Sequence, residues 1–302
     1  MDFSLTTDQA AIADAINRIA LRFEHKPTDF HGYALRGEQL DQELEDGSYF
    51  DITEIPELGP LSAAMAVERL AWLPYTTDIA LSMLVKPVLP GDWPRPLAVI
   101  EQGRPGRFAA DARTLILIDG ERVSLARCEP GDAQPVDSVF AYPMGLLSRT
   151  MKSTLLNDAD ALRVRTWIRV ALAAEASGLI QAAIASAVEH LSIRKQFGRP
   201  LGSFQALRHR MAECAVLSGG VRWLALQAAA TGDPGDAALA ALQAQESGTR
   251  IVYDLHQMLG AMGMTLEHPL HLWTYRIKAL LSELGGRGGQ SLAVAEHCFT
   301  AD

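Results

Sequence analysis

The sequence predicts a mainly α protein with a small β segment between two helical regions. Near the start of the chain, Ile12, Ile16 and Ile19 recur at helical spacing. A proline-rich stretch at residues 87–96 then precedes short apolar runs of strand length. From about residue 157 onward, alanine- and leucine-rich stretches contain few helix breakers. We therefore predict an N-terminal helical domain at residues 1–89, a small β domain at residues 90–150 and a C-terminal helical bundle at residues 151–302.

Local signals justify the elements of the first two regions. Thr6 or Thr7 can cap the first helix, because a hydroxyl oxygen accepts one of the free N–H groups at a helix start. In the β segment, three apolar runs predict strands. Asp119-Gly120 lies between the last two runs and predicts a type I′ hairpin turn.

The C-terminal region predicts a four-helix bundle, because amphipathic helices joined by short connections pack antiparallel. Asn157 can cap the first of these helices. The breaker residues 231–235 separate the second helix from the third, which directs Leu239 and Leu255 toward the core. The glycine-rich residues 285–289 separate the fourth helix from a final segment that ends at Phe299.

Composition narrows the classes of function. The chain has 302 residues and a net charge of −9, from 36 acidic and 27 basic residues. This diffuse negative balance argues against nucleic-acid binding, which needs clustered Lys and Arg. The alanine-rich runs are interrupted by charges, so we expect no membrane span. Because Asp2 and Asp8 stand where a signal peptide would have a basic stretch, we expect a cytoplasmic protein.

Three cysteines, Cys128, Cys214 and Cys298, are odd in number and far apart in the sequence. No pair has the spacing of a metal-binding motif, so we expect neither a disulfide framework nor a metal site. Each is expected to be a buried thiol that packs as a small hydrophobe.

The junction between the first two bundle helices carries the clearest functional signal. It reads Arg194-Lys195-Gln196-Phe197-Gly198-Arg199-Pro200, followed by Phe204-Gln205. An arginine fork is suited to phosphate, and an aromatic ring beside a Gly-Arg-Pro turn is an unusual choice for a simple connector. A turn between helices with solvated charges remains the alternative.

This junction resembles the flavin-contacting signature of acyl-CoA dehydrogenases. A second block, Gln257 to Gly263, is similar to the family's glycine-rich stretch, with Ala261 in place of one glycine. The resemblance implies the family's fold, an FAD cofactor and an acyl-CoA substrate. It also implies a second acyl-CoA dehydrogenase chain in a hetero- or homotetramer, and an electron acceptor such as an electron-transfer flavoprotein.

The resemblance also assigns cofactor-binding roles by position. It places Arg194 at the FAD diphosphate, where a surface salt bridge is the alternative role. Phe204 would lie at the adenine side, where core packing is the alternative. The glycines of the second block would let the backbone approach the diphosphate. The full predicted set is Arg194, Lys195, Gln196, Phe197, Phe204, Gln205, Gln257, Gly260 and Gly263.

The catalytic residues remain unknown from the sequence. Counting from the matched motifs, the two positions where the family carries its glutamate base fall on Gly285 and Ile168, which cannot take a proton. The nearest carboxylates are Glu283 and Glu175. A solvated helix face is the alternative role for Glu283, whereas Glu175 in an alanine-rich run could be buried.

Three departures from the family pattern favour the same interpretation. The β domain is short, the motif that contacts the flavin ring is missing and the base is absent from both usual positions. The chain therefore resembles the reduced subunit of heteromeric bacterial acyl-CoA dehydrogenases of steroid degradation, which completes the FAD site of a partner chain. Two alternatives stay open: a self-sufficient homo-oligomeric enzyme with a relocated base, and a non-catalytic helical scaffold.

Overall fold

The structure is a computed structural model that describes residues 4–24, 33–101 and 103–299, so Asp2 lies outside the described residues. It confirms a mainly α fold with a small β region. The helices are α1 Thr7–Phe23, α2 Glu38–Asp46, α3 Gly59–Ala71, α4 Ile79–Leu84, α5 Asp158–Ile193, α6 Gln205–Thr231, α7 Pro234–Leu259, α8 His271–Leu280 and α9 Gly286–Phe299. The strands are β1 Leu97–Glu101, β2 Gly106–Arg107, β3 Thr114–Asp119, β4 Arg122–Arg127, β5 Ala133–Val136, β6 Met144–Leu147, β7 Thr154–Leu155, β8 Lys195–Gln196 and β9 Arg199–Pro200.

The N-terminal helices pack directly on the bundle. Thr6 caps α1 in a reciprocal capping box with Gln9, as its position before the apolar stripe predicts. Helix α3 lies so close to α5 that a Cβ on Gly178 would meet the Glu68 carbonyl oxygen at 2.1 Å. Gly178 therefore serves close helix packing, which explains why a glycine interrupts this otherwise alanine-rich helix.

The β region forms two small sheets. The larger has the order β1-β3-β4-β7, in which β1 and β3 are parallel and the other pairs antiparallel. The smaller has the order β2-β6-β5 and is antiparallel. Strand β7 lies beyond residue 150, so the larger sheet takes its last strand from residues that we assigned to the helical bundle.

The predicted turn between β3 and β4 was one residue out of register. Asp119 pairs with Arg122, so the two-residue loop is Gly120-Glu121 rather than Asp119-Gly120. Of these two loop residues only Gly120 has a positive φ, of 58°. A type I′ turn requires positive φ at both central residues, so that assignment was wrong.

Three long helices, α5 to α7, and two shorter ones, α8 and α9, form the described bundle, rather than four long helices. The Asn157 side chain accepts the backbone N–H of Asp160 at 2.9 Å and caps α5, as predicted. Gly232 ends α6 in a left-handed conformation and Asp233 caps α7, so these two helices run antiparallel across a very short link.

Three expectations for side chains and boundaries in this region were wrong. Helix α9 begins at Gly286, inside the glycine run that was expected to separate two segments. Leu239 is 37% exposed, because it lies on the outer face of α7. Cys298 is exposed, while Cys128 and Cys214 are buried.

One large hydrophobic core connects the N-terminal helices, the larger sheet and the bundle through residues such as Ile16, Leu125 and Leu255. Helix α5 crosses this core. It is long and apolar enough to span a membrane, but 83% of its most apolar window is buried within the chain, as expected of a core helix. The predicted domain boundaries stay predictions.

Candidate functional site

The junction after α5 is a small β-hairpin that presents an aromatic ring to solvent. Gln196 pairs with Arg199 across β8 and β9, which leaves Phe197 and Gly198 as the two loop residues. Both have positive φ, 52° and 80°, as a type I′ turn requires. A bulky residue such as phenylalanine is rarely found there, and Phe197 is 88% exposed. Local strain combined with an exposed aromatic ring is typical of a recognition element.

Aromatic and cationic groups surround this loop. The Arg199 guanidinium lies over the Phe204 ring, 4.1 Å from its centroid. The Phe197 ring meets Phe204 edge to face at 6.1 Å. Phe204 is half-buried, so it contributes both to packing and to this surface. Residues 190–212 contain no Asp or Glu, and their cations are Arg194, Lys195, Arg199, Arg208 and Arg210.

The hairpin and the glycine turn after α7, which we define as residues 260–263, lie at the same end of the bundle. Arg210 in the early part of α6 pairs with Asp254 near the end of α7 at 2.9 Å. The His190 ring near the end of α5 meets the His268 ring, just beyond the glycine turn, at 5.1 Å. These contacts bring together two segments that are about 50 residues apart in the sequence.

Within the second block, the predicted residues have different environments. Gln257 and Gly260 are exposed, and a Cβ on Gly260, at φ 59°, would have no atom within 4 Å. Gly263 is buried, and the His256 Nδ1 donates to its carbonyl oxygen at 2.6 Å. A Cβ on Gly263 would lie 2.9 Å from the His256 carbonyl oxygen, so this glycine is needed for folding the turn against α7.

The remaining predicted cofactor residues are also on the surface at this end. Arg194, Lys195 and Gln196 are exposed, and the Gln205 side chain lies 3.4 Å from the His209 ring. A cationic surface with an open, positive-φ glycine fits the diphosphate of FAD, which is an anion that backbone N–H groups and guanidinium groups bind well.

The two candidate catalytic carboxylates meet at one buried arginine. Arg107 on β2 is 8% exposed, and its Nη1 lies 2.9 Å from Glu175 Oε2. Its Nε and Nη2 donate to the two oxygens of Glu283 at 2.5 and 3.1 Å. The Tyr142 hydroxyl donates to Glu175 Oε1 at 2.5 Å. All four carboxylate oxygens therefore accept a hydrogen bond from this chain.

Burial governs the electrostatics of this cluster. It raises the pKa of the Glu283 carboxyl, although the Arg107 charge opposes this effect. It also raises the pKa of the Tyr142 hydroxyl, and the nearby Glu175 carboxylate raises it further. Arg107 and Glu283 form part of the wall of a cavity of about 510 Å³ between the β region and the bundle, together with Phe140 and Met144. Arg107 thus pairs with Glu283 at this cavity and with Glu175 outside its wall, and neither carboxylate is poised as a free base.

Sequence reasoning missed Arg107 and Tyr142. Arg107 is separated from its partners by 68 and 176 residues and comes from a strand of two residues. No local pattern identifies such a residue. The only usable signal was that Glu175 needed a partner if it was buried in an apolar helix.

Comparison with known families agrees with this arrangement. Residues 161–297 match the profile described as "Acyl-CoA dehydrogenase, C-terminal domain". The C-terminal part of the chain is therefore similar to an acyl-CoA dehydrogenase C-terminal domain. This domain contains the hairpin, the glycine turn and both candidate carboxylates.

A relative in sequence is the acyl-CoA dehydrogenase FadE34 of Mycobacterium tuberculosis, which is 31% identical over 169 residues. The match covers 53% of this chain and 24% of FadE34. The chain spans from about a quarter to about half the length of the curated relatives that it matches first.

Solved structures share the acyl-CoA dehydrogenase fold across the whole chain. The ChsE4–ChsE5 complex of Mycobacterium tuberculosis matches with a TM-score of 0.77 and 18% identity, covering 100% of both chains. The structure described as "Tcur3481-Tcur3483 steroid ACAD G363A variant" matches with a TM-score of 0.74 and 18% identity, covering 96% of this chain and 97% of that one. These likenesses establish the fold, in which the matched residues 161–297 form most of the helical bundle.

Proposed function

We propose that this chain is a subunit of an FAD-dependent acyl-CoA dehydrogenase, in which it completes the FAD site of a partner chain. The enzyme would remove two hydrogens from the α and β carbons of an acyl-CoA thioester. The single observation that carries the proposal is the hairpin with the exposed Phe197 at its tip, which lies at the same end of the bundle as the glycine turn. A cofactor held at this surface needs a second chain to cover it.

The residues of the chain suggest that it binds part of the cofactor and that the partner supplies the catalytic base. When bound, FAD supplies the acceptor for the hydride that leaves the β carbon. Arg194, Gln257 and the open backbone at Gly260 would hold the diphosphate, while Phe197 and Phe204 would pack beside the adenosine. Proton removal from the α carbon falls to the partner, because Glu175 and Glu283 are both bonded to Arg107.

Finer features of the proposal rest on the relatives. The structural likeness to a steroid ACAD supports a bulky, steroid-derived acyl group as substrate. The likeness to the ChsE4–ChsE5 complex supports a complex of unlike chains, for which we propose a heterotetramer. An electron-transfer flavoprotein as electron acceptor and a cytoplasmic location complete the proposal.

The first experiment tests the partner surface. The chain is co-expressed with the product of the adjacent gene, and any complex that forms is purified for a count of flavin per chain. Phe197→Asn should abolish capture of the partner while preserving the turn, because Asn-Gly is the preferred type I′ sequence. Phe299→Asn is the matched control. Phe299 is also exposed, and its neighbour Cys298 lies against Gly235, at the opposite end of α7.

The second variant tests the cofactor. Arg194→Ala should lower the flavin content of the assembled complex and leave the two chains associated. Unchanged flavin content would support the scaffold alternative instead. If the chain purified alone is yellow and reduces an acceptor with acyl-CoA, the self-sufficient alternative is correct and the need for a partner is refuted.

A further inference from the structure

A cavity of about 450 Å³ lies between the N-terminal helices α1 and α3 and the bundle helices α5 and α6. This volume is within the range of small-molecule sites in proteins. The apolar part of its wall includes Ile12, Ile16, Met65, Ala66 and Trp72. Among the described residues, neither the predicted FAD surface nor the Arg107 cluster contributes to this wall. A ligand in this cavity would therefore bind independently of the proposed function.

Two oxygen atoms at this cavity can each accept a further hydrogen bond. Glu68 Oε1 accepts from Arg222 Nε at 2.9 Å and from the side-chain amide of Gln181. Within the part of the chain that the structure describes, Glu68 Oε2 and Gln181 Oε1 accept no hydrogen bond, yet neither atom is fully buried. Both residues line the cavity, and the Glu68 side chain is only 13% exposed. These two oxygens are acceptors that a ligand in the cavity can reach.

The same wall also has donors to spare. Arg222 lines the cavity and uses only its Nε in the contact with Glu68. Across the described residues, its two Nη groups donate to no acceptor. A ligand group that both donates and accepts a hydrogen bond would satisfy Glu68 and Arg222 together, and a hydroxyl is the smallest group that does so.

The charges at the cavity favour a neutral ligand. Glu68 pairs with Arg222 at 2.9 Å, and Glu24 pairs with Arg69, so the two carboxylates and the two guanidinium groups of the wall cancel. An anion would be repelled by the carboxylates, and a cation would be repelled by the arginines. A ligand with a net charge would also have to leave water without gaining an unpaired counter-charge.

We propose that this cavity binds a neutral alcohol with an apolar ring system. The hydroxyl donates to Glu68 Oε2 and accepts from Arg222, while the rings pack against the apolar wall formed by α1 and α3. Hydrogen bonds to charged groups are stronger than those between neutral groups, so the hydroxyl orients the ligand.

Borneol and camphor form a matched pair of probes. They share one bicyclic skeleton, but borneol has a hydroxyl, whereas camphor has a ketone that accepts a hydrogen bond and cannot donate one. We expect borneol to bind the full chain at one site by calorimetry, at least about tenfold more tightly than camphor. Equal affinities for the two probes, or no binding of borneol, would overturn the proposal.

Filling the cavity tests its location. Ala13 is half-buried on α1 and lines this cavity, so Ala13→Phe should abolish borneol binding. Val136→Phe is the matched control, because Val136 is half-buried and lines the separate cavity of about 510 Å³ beside Arg107. Loss of binding in Val136→Phe together with normal binding in Ala13→Phe would place borneol in the other cavity and refute the proposal.

Glu68→Gln tests the hydroxyl contact and keeps the proposal testable if Ala13→Phe fails to fold. This variant preserves the shape of the side chain and removes its charge, so the preference for borneol over camphor should fall at least about threefold. Glu246→Gln is the control, since Glu246 is 60% exposed, pairs with Arg287 and lies outside the cavity wall. If Glu68→Gln weakens both probes equally, the hydroxyl does not bind Glu68 and the proposal is wrong.

Discussion

The chain uses arginine in two contrasting ways, at Arg107 and at the hairpin after α5. Arg107 is buried, and the hydrogen bonds of its guanidinium end on two carboxylates from distant parts of the sequence. Arg194 and Arg199 are exposed, lie in a stretch without carboxylates and flank a strained aromatic loop. A fully paired charge fixes the architecture, whereas an unpaired cationic surface is available for an anion. The interior cluster therefore has a structural role, and the surface has a role in recognition.

The largest expected effect comes from breaking the interior cluster. Arg107→Met would leave the buried Glu175 and the half-buried Glu283 without their cation and should lower the free energy of unfolding by about 3–5 kcal/mol. Denaturant unfolding measures this loss. Arg104→Met is the control and should change stability by less than about 0.5 kcal/mol. Arg104 is 61% exposed, and its nearest carboxylate, on Glu101, lies 3.6 Å away.

Restoring charge balance sharpens the same experiment. Adding Glu175→Gln and Glu283→Gln to Arg107→Met removes the unpaired carboxylates and should recover part of the lost stability. If the triple variant is no more stable than Arg107→Met, the loss arises from packing at Arg107 rather than from its charge.

The same contrast explains what the sequence could predict. Helix ends follow from local chemistry, such as the cap at Asn157 and the left-handed Gly232 before Asp233. Most of the predicted ends of the bundle helices therefore lie close to the observed ends. The Arg107 cluster depends on contacts across 68 and 176 residues, which no window of sequence contains. The β3–β4 turn failed for another reason, since a glycine fits several turn types and strand register decides among them.

A smaller effect is expected at the hairpin in the isolated chain. Phe197→Asn should raise the free energy of unfolding by about 0.5 kcal/mol, because asparagine tolerates positive φ better than phenylalanine does. Gly198→Ala should lower it by about 1 kcal/mol for the opposite reason. Chemical denaturation of both variants tests this pair. A loss of stability in Phe197→Asn would mean that the aromatic ring contributes to folding rather than to recognition.

The smallest effect is a pH dependence that differs in sign between the two regions. Burial lowers the pKa of His256, which donates to Gly263 and so supports the glycine turn, although that hydrogen bond opposes the shift. Below about pH 6.5 the unfolded chain then binds more protons than the folded chain, so stability falls as the pH falls. For Glu283, whose pKa is raised by burial, stability instead falls as the pH rises above the ordinary value of a glutamate.

The contribution of His256 can be measured from the free energy of unfolding between about pH 7.5 and about pH 5.5. His256→Gln should lose less stability than the wild-type chain over this range, because glutamine does not titrate. Glu283→Gln should lose less stability than the wild-type chain when the pH is raised from about 4.5. Identical slopes for His256→Gln and the wild-type chain would show that acid does not destabilise the chain through the glycine turn.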